Sequence, residues 1–587
     1  MNYELNRKDE YSKKIGVIEA AKKLWPLMSS QKGYLLLALL AILVNSVMTL
    51  AGPVIVGRTV DHYVIPGNFH MVLVSAGILL LMFIVAAAAN YIQTRLMGII
   101  GQGVLFKLRN AVFSKLQELP VAFFNQNKAG DLISRINNDT DKLNQFFSQA
   151  LMQFVGNFFL ILGAGIFLLA IKPKLSVVTL LPALGIAVIT QLLSPWVKKR
   201  NAKSLQTTGG MSAEIQESIQ NFKAVVAFGR RDYFRKRFSE ANESNYTAAI
   251  SSGIANNTFN PIYTLAGNLA QLIVVAYGIT LIIHGNFTLG LLISFLLYVN
   301  NVYNPLRQLA SIWSTMQLAL AAFDRVSEIL ELKSNLLVSE SSEATVHNAP
   351  LLEFKDVSFA YSADKKVLHD VNFRLEAGKT YALVGPTGGG KTTTASLMAR
   401  LFDPTTGTVM LNGKDIRSFE PKERVKKIGF ILQEPFLFSG TVKENIIYGN
   451  EEYYSLTTAE LQNILEKEGL TSLLERFPEG LETKVVSSGD SISLGQKQLI
   501  VFIRAALRHP ELLILDEATA NIDTVTEQLL QDILEKLPKE TTRVIIAHRL
   551  NTIEHADEIF FINGGEVIVA GSLDHAVEML MHGKRES

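Results

Sequence analysis

Apolar positions along this chain fall into long runs in its first half and short, strand-length runs in its second. The segments Tyr34 to Val56 and Met71 to Ile92 are largely apolar and carry no acidic or basic residue. At about 1.5 Å per helical residue, each is long enough to cross the ~30 Å hydrocarbon layer of a bilayer. Four more runs follow, near Phe146 to Ile171, Leu175 to Val197, Phe259 to Ile283 and Leu289 to Tyr303, the last continuing as helix toward Ile329. One such run could be the buried helix of a large soluble protein. Six in the first half of the chain predict an all-α, six-helix transmembrane domain. Between spans, Val121 to Leu143 and Met211 to Phe238 keep a helical apolar period far beyond the length of a turn, so long helical extensions into the cytoplasm are expected.

Basic residues orient the spans. Arg7, Lys8, Lys13, Lys14, Lys22, Lys23 and Lys32 precede the first, and Lys107, Arg109, Lys115, Lys198, Lys199, Arg200, Arg230 and Arg231 follow the second and fourth. The connection near His284 to Thr288 has no Lys or Arg. This bias predicts a multi-pass protein of the cytoplasmic membrane with both termini inside. A cleavable signal is not expected, because Met1 to Lys32 is polar and charged. The interior of the spans has no Asp, Glu, Lys or Arg, the groups that hold coupling ions in ion-driven carriers, so the driving force is sought elsewhere. It does carry Asn45, Asn90, Gln149, Gln153, Asn157, Gln191, Asn260, Asn268, Gln271, Asn300 and Asn301. Such amides either join helices by hydrogen bonds or line a cavity for substrate.

Composition agrees with a membrane protein: 48% of the 587 residues are hydrophobic and 19% charged. A net charge of +2, with basic residues following loop positions, argues against a nucleic-acid partner. The absence of cysteine excludes disulfides and thiolate metal sites. Between Glu331 and Pro350 the chain becomes rich in Ser and Glu without apolar period, as a linker does. The expected organisation is a transmembrane domain over 1–330, a linker over 331–350 and an α/β P-loop domain over 351–587.

That second domain opens on a phosphate-binding pattern. The apolar strand Thr380 to Val384 runs into Gly385-Pro386-Thr387-Gly388-Gly389-Gly390-Lys391-Thr392, and Thr393 to Leu401 then favours helix. Glycines let backbone N–H groups turn toward phosphate oxygens, Lys391 can reach the terminal phosphates, and the Thr392 hydroxyl can ligate Mg²⁺. Further on, the run Leu512 to Leu515 ends in Asp516-Glu517, two carboxylates at a strand edge. Asp516 suits holding Mg²⁺ through water, and Glu517 suits orienting the water that attacks the γ-phosphate.

The segment Ile492-Ser493-Leu494-Gly495-Gln496-Lys497-Gln498, ahead of an apolar helix, resembles the signature motif of the ABC ATPase family. Under that resemblance Tyr361 stacks on adenine, Gln433 senses Mg²⁺ and the attacking water, His548 acts on the γ-phosphate, and Asp523 lies in a loop that signals between paired sites. Ser493, Gly495 and Gln496 contact nucleotide, joining Pro386, Thr387 and Thr393 of the phosphate loop. In the membrane half, Phe123-Phe124, Gly130 to Arg135 and Asn138-Asp139 are similar to the first intracellular loop of ABC exporters, and Glu217-Ser218-Ile219 with Ala227-Phe228-Gly229 to the second. The resemblance, which spans nearly the whole chain, implies an ATP-driven half-transporter using ATP and Mg²⁺ beside membrane lipid.

Two departures refine the expectation. The family signature is Leu-Ser-Gly-Gly-Gln, and here Leu494 stands where a glycine approaches ATP. Because the signature of one subunit completes the site on the partner's P-loop, the resemblance implies that the defect falls on the partner's nucleotide. Upstream, Thr483-Lys484-Val485-Val486-Ser487-Ser488-Gly489 replaces the family's acidic Thr-Glu-Val-Gly-Glu-Arg-Gly. With Lys391, Gln433, Asp516, Glu517 and His548 all present, a heterodimer with a homologous half-transporter is expected, one site consensus and the other degenerate. A charge-free, amide-containing membrane interior suits a small amphiphilic or hydrophobic cargo, drug-like or lipid. The alternatives are an importer with exporter architecture and a nucleotide-gated regulatory or channel subunit.

Overall fold

The computed structural model describes residues 31–333, 349–362, 365–486, 492–516, 524–546 and 555–582, together with Tyr3, Leu5 and Pro26. The chain divides into two compact units, one of Lys8–Leu116 and Gly130–Glu331, the other of Met1–Arg7, Gln117–Ala129 and Leu332–Ser587.

The first unit is helical. Its long helices are α1 (Lys32–Val64), α2 (Phe69–Glu118), α4 (Ala129–Ile171), α5 (Pro173–Gln220), α7 (Arg231–Ile283) and α8 (Leu289–Glu331), with α6 (Phe222–Ala227) a short helix in the second inner connection; the short α3 (Val121–Gln126) of the first inner connection belongs to the other unit. Among the described residues six helices are long and apolar enough to cross a membrane. Where α1 meets α8, small residues bring the backbones together: a Cβ added to Gly290 would lie 2.0 Å from the Gly57 carbonyl oxygen. Ser294 Oγ donates to Pro53 O (2.7 Å) and Tyr298 OH to Leu50 O (2.6 Å) across the same contact.

The inner connections break where a continuous period predicts helix. Asn127 is extended (φ −123°, ψ 137°), and its side chain accepts from Leu5 N–H (2.9 Å) while donating to Tyr3 O (2.9 Å), so it ends α3 by binding other backbone. Gly229, at φ +62°, makes the turn between α6 and α7. Near the start of α4, Arg135 is fully buried in an ion network with α8. It donates to Asp131 (2.9 Å), to Glu328 (2.5 Å) and to Arg325 O (2.7 Å), while Arg325 pairs with Asp131 (2.5 Å) and Asp139 (3.3 Å).

The second unit is α/β. A four-stranded antiparallel sheet has the order β2-β1-β4-β5 (Lys365–Leu375, Leu352–Ser362, Thr406–Leu411, Lys414–Asp415). A six-stranded sheet runs β12-β11-β3-β10-β9-β6 (Glu566–Val569, Glu558–Asn563, Thr380–Val384, Thr542–Ile546, Leu512–Asp516, Ile428–Ile431), parallel except for β12. β9 is buried at every residue, which is why it reads as a continuous apolar run. The helices that frame the site are α9 (Lys391–Met398) after β3, α11 (Val442–Ile447), α13 (Leu494–Ala506) and α14 (Thr524–Lys536).

Candidate nucleotide site

Strand β3 delivers the phosphate loop to the carboxyl edge of the parallel sheet, where ligands of such sheets bind. The loop packs so closely on β11 that a Cβ at Gly385 (φ +150°) would lie 2.0 Å from Ile562 O. Gly390, at φ +117°, caps the start of α9, a conformation that L side chains resist. Between them, Gly389 N–H donates to Pro386 O (3.0 Å), closing the turn that contains Thr387 and Gly388. Lys391 is buried, and its Nζ donates to Gly385 O (2.8 Å) and Pro386 O (3.0 Å), folding the ammonium back over its own loop.

Pairing across the sheet sets the next group. Ile546 of β10 stands opposite both Leu383 of β3 and Asp516 of β9, which places the end of β9 level with the loop. The buried Asp516 carboxylate then accepts from Thr392 Oγ1 at 3.4 Å. Gln433 follows β6, which pairs with β9, and is exposed beyond the same edge. Glu517, Asp523 and His548 lie outside the described residues, as do Ser487 to Gly489 of the altered segment upstream of the signature.

Tyr361, at the end of β1, stands edge-on to Phe359 (4.8 Å, 87°) and Phe402 (5.3 Å, 88°), and its hydroxyl lies 3.0 Å from Thr393 Oγ1. Neither Phe402 nor the link to α9 is legible in the sequence, because Phe402 is brought to Tyr361 by the turn after α9. The ring is 45% exposed, so it can stack on a flat partner.

The signature segment forms the start of α13. Ser493 is its N-cap in a reciprocal capping box with Gln496, whose Nε2 also donates to Arg476 O (2.6 Å). The two central signature positions differ physically. Gly495 is buried, and a Cβ there would lie 3.0 Å from Thr526 Oγ1 of α14, whereas Leu494 is 42% exposed at the first helical position. Internal packing therefore crowds a side chain at the second glycine, where Thr526 would have to give by a few tenths of an ångström, and leaves the first position free to carry one. Arg504, the one cation in the apolar stretch Leu499 to Ala506, donates to Asn445 O of α11 (2.7 Å) and to Phe436 O beyond Gln433 (3.4 Å). Burial pushes its guanidinium down to about 10, which leaves it charged at neutral pH. A lone cation in an apolar helix was the available signal for this link between α13 and the Gln433 loop.

Comparison with known proteins decides the family. Residues 35–306 match the ABC transporter transmembrane region, and residues 368–520 the ABC transporter family. The chain is 34% identical over 488 residues to a putative multidrug export ATP-binding/permease protein of Bacillus subtilis, covering 81% of this chain and 82% of that protein. This chain belongs to the ABC transporters. The transporter is also 32% identical over 513 residues to the fatty acid ABC transporter ATP-binding/permease protein of Mycobacterium tuberculosis, covering 87% of this chain and 80% of that one. A bacterial Atm1-family ABC exporter with ATP bound shares its fold, with a TM-score of 0.81 over 95% of this chain and 99% of that one, at 24% identity. The transporter is thus a multi-pass membrane protein with an ATP-hydrolysing domain, built as an exporter half.

Proposed function

We propose that this half-transporter pairs with a homologous half and exports amphiphilic or hydrophobic compounds across the cytoplasmic membrane by alternating access. In this reading the membrane domain spans 1–330 and the linker 331–350, and the ATPase domain, 351–587, lies in the cytoplasm with both termini. The single observation that carries the pairing is an asymmetry: Lys391, Thr392 and Asp516 converge at one sheet edge, while Leu494 stands exposed beside the Ser493 cap. The chain so equipped has a complete phosphate side and a hindered clamp.

Lys391 holds the terminal phosphates, Tyr361 stacks on adenine, Glu517 orients the attacking water, and His548 acts on the γ-phosphate. The Thr392 hydroxyl and Asp516 carboxylate, 3.4 Å apart, are the hard oxygen donors that Mg²⁺ takes and would hold the ion, Asp516 through water, with Gln433 as its further contact. When bound, that ion neutralises charge on the phosphates. The fatty acid and multidrug names of the two relatives favour an amphiphilic cargo.

Purification of the chain alone tests the pairing. Low ATPase activity is expected, rising when a homologous half with an intact signature is co-expressed. A homodimer with full transport-coupled ATPase activity refutes the pairing.

A further inference from the structure

Of the eleven amides in the spans, the structure gathers Asn268 and Gln271 of α7 and Asn300 of α8 around one recess, with Asn304 and Arg307 completing its α8 side. Gln271 Nε2 donates to Asn300 Oδ1 (2.8 Å), and the two tyrosines of the recess point their hydroxyls away, Tyr303 to Thr179 O (2.7 Å) and Tyr263 to Thr190 Oγ1 (3.4 Å). Asn268, Asn304 and Arg307 are exposed, and among the described residues none of them has a hydrogen-bond or ion-pair partner.

Three unsatisfied polar groups on membrane helices cannot face hydrocarbon without a cost of several kcal/mol, so this strip faces a wetted cavity. Among the described residues Arg307 is the only ionised group lining the recess, and no carboxylate lines it. An unneutralised guanidinium selects an anion, and its fork suits carboxylate or phosphate. Depth adds a second constraint. Counted from Leu289 at about 1.5 Å per residue, Asn300 lies ~16 Å and Arg307 ~27 Å along α8, near the far boundary of a ~30 Å hydrocarbon layer. That is the level at which amphiphiles of the facing leaflet hold their head groups. On the adjoining strip of α7, Leu265, Leu269 and Leu272 are exposed and offer apolar surface for a tail.

We propose that Arg307, with Asn268 and Asn304, forms a head-group subsite for an anionic amphiphile bearing a carboxylate or phosphate. The assignment rests on the amphiphile-export reading and narrows it to negatively charged cargo.

Scintillation proximity binding of tritiated oleate to the purified full-length chain tests it, with unlabelled oleate, dioleoyl phosphatidic acid and oleyl alcohol as competitors. Saturable binding displaced by the anions but not by the alcohol is expected, and the stronger anion distinguishes fatty acid from phospholipid. Arg307→Gln should weaken oleate at least about tenfold, as loss of a charged hydrogen-bond partner does, and Arg307→Lys should restore most of it. Asn304→Asp, which sets a carboxylate one turn before the guanidinium, should weaken oleate similarly while keeping the cation, which separates charge from misfolding. Equal competition by oleyl alcohol, or unchanged oleate binding by Arg307→Gln, overturns the anionic subsite and leaves amphiphile export standing. The absence of saturable binding by any of the three lipids sinks both.

Discussion

Replacing Arg135 by methionine keeps much of the side chain's volume and removes its charge from a site with no solvent exposure. Asp131, Asp139 and Glu328 would then share Arg325 and Lys142, three carboxylates against two cations where three now stand. Breaking a buried pair by deleting one partner costs about 3–5 kcal/mol. The side chains of Asp131 and Glu328 are 28% and 38% exposed and can regain water, which lowers the expected loss to about 2–3 kcal/mol. At the scale of a large domain this shifts the melting temperature down by roughly 4–8 °C. Heating the purified full-length chain and following loss of the monodisperse peak measures the shift. A cycle with Glu328→Gln tests its cause, since Glu328 loses most of its worth once Arg135 is gone and the two changes should fall short of additivity by about 1 kcal/mol. A melting temperature within 1 °C of wild type for Arg135→Met, or strict additivity with Glu328→Gln, would refute the network as a brace between α4 and α8.

Glu517→Gln should retain ATP while nearly abolishing steady hydrolysis, and wild-type turnover in that variant, read by phosphate release, would remove Glu517 from its catalytic role. Leu494→Gly should raise the ATPase rate of the chain purified alone by about tenfold, the worth of one charged hydrogen bond at the α13 N-terminus; an unchanged rate would mean that the leucine is no obstacle. Tyr361→Ala should raise the KM for ATP by about 2–10-fold with kcat little changed, in line with a stacking contribution of about 0.5–1.5 kcal/mol, and the kcat against KM split decides it.

Local pattern determined much of this protein. Long uncharged runs specify spanning helices because hydrocarbon leaves backbone no other partner, and the fifth span, Phe259 to Ile283, lies within α7 and ends where that helix ends. The strand Thr380 to Val384 and the glycine pattern after it are equally legible in the chain, although what makes Gly385 necessary, the carbonyl of Ile562 on β11, is distant in sequence. Tertiary structure decided whatever depends on partners distant in sequence. The helical period through Val121 to Leu143 hides the break at Asn127, because the groups that hold Asn127 open belong to Tyr3 and Leu5. Arg135 reads as one more charge in an inner loop until α8 brings Glu328 and Arg325 to it. Sequence alone does not tell the two middle positions of the signature apart, and Thr526 of α14 shows that one is crowded while the other is open. The same holds for Arg307: sequence places it just past an apolar run, and the packing of α7 on α8 turns it and scattered amides into a single polar recess.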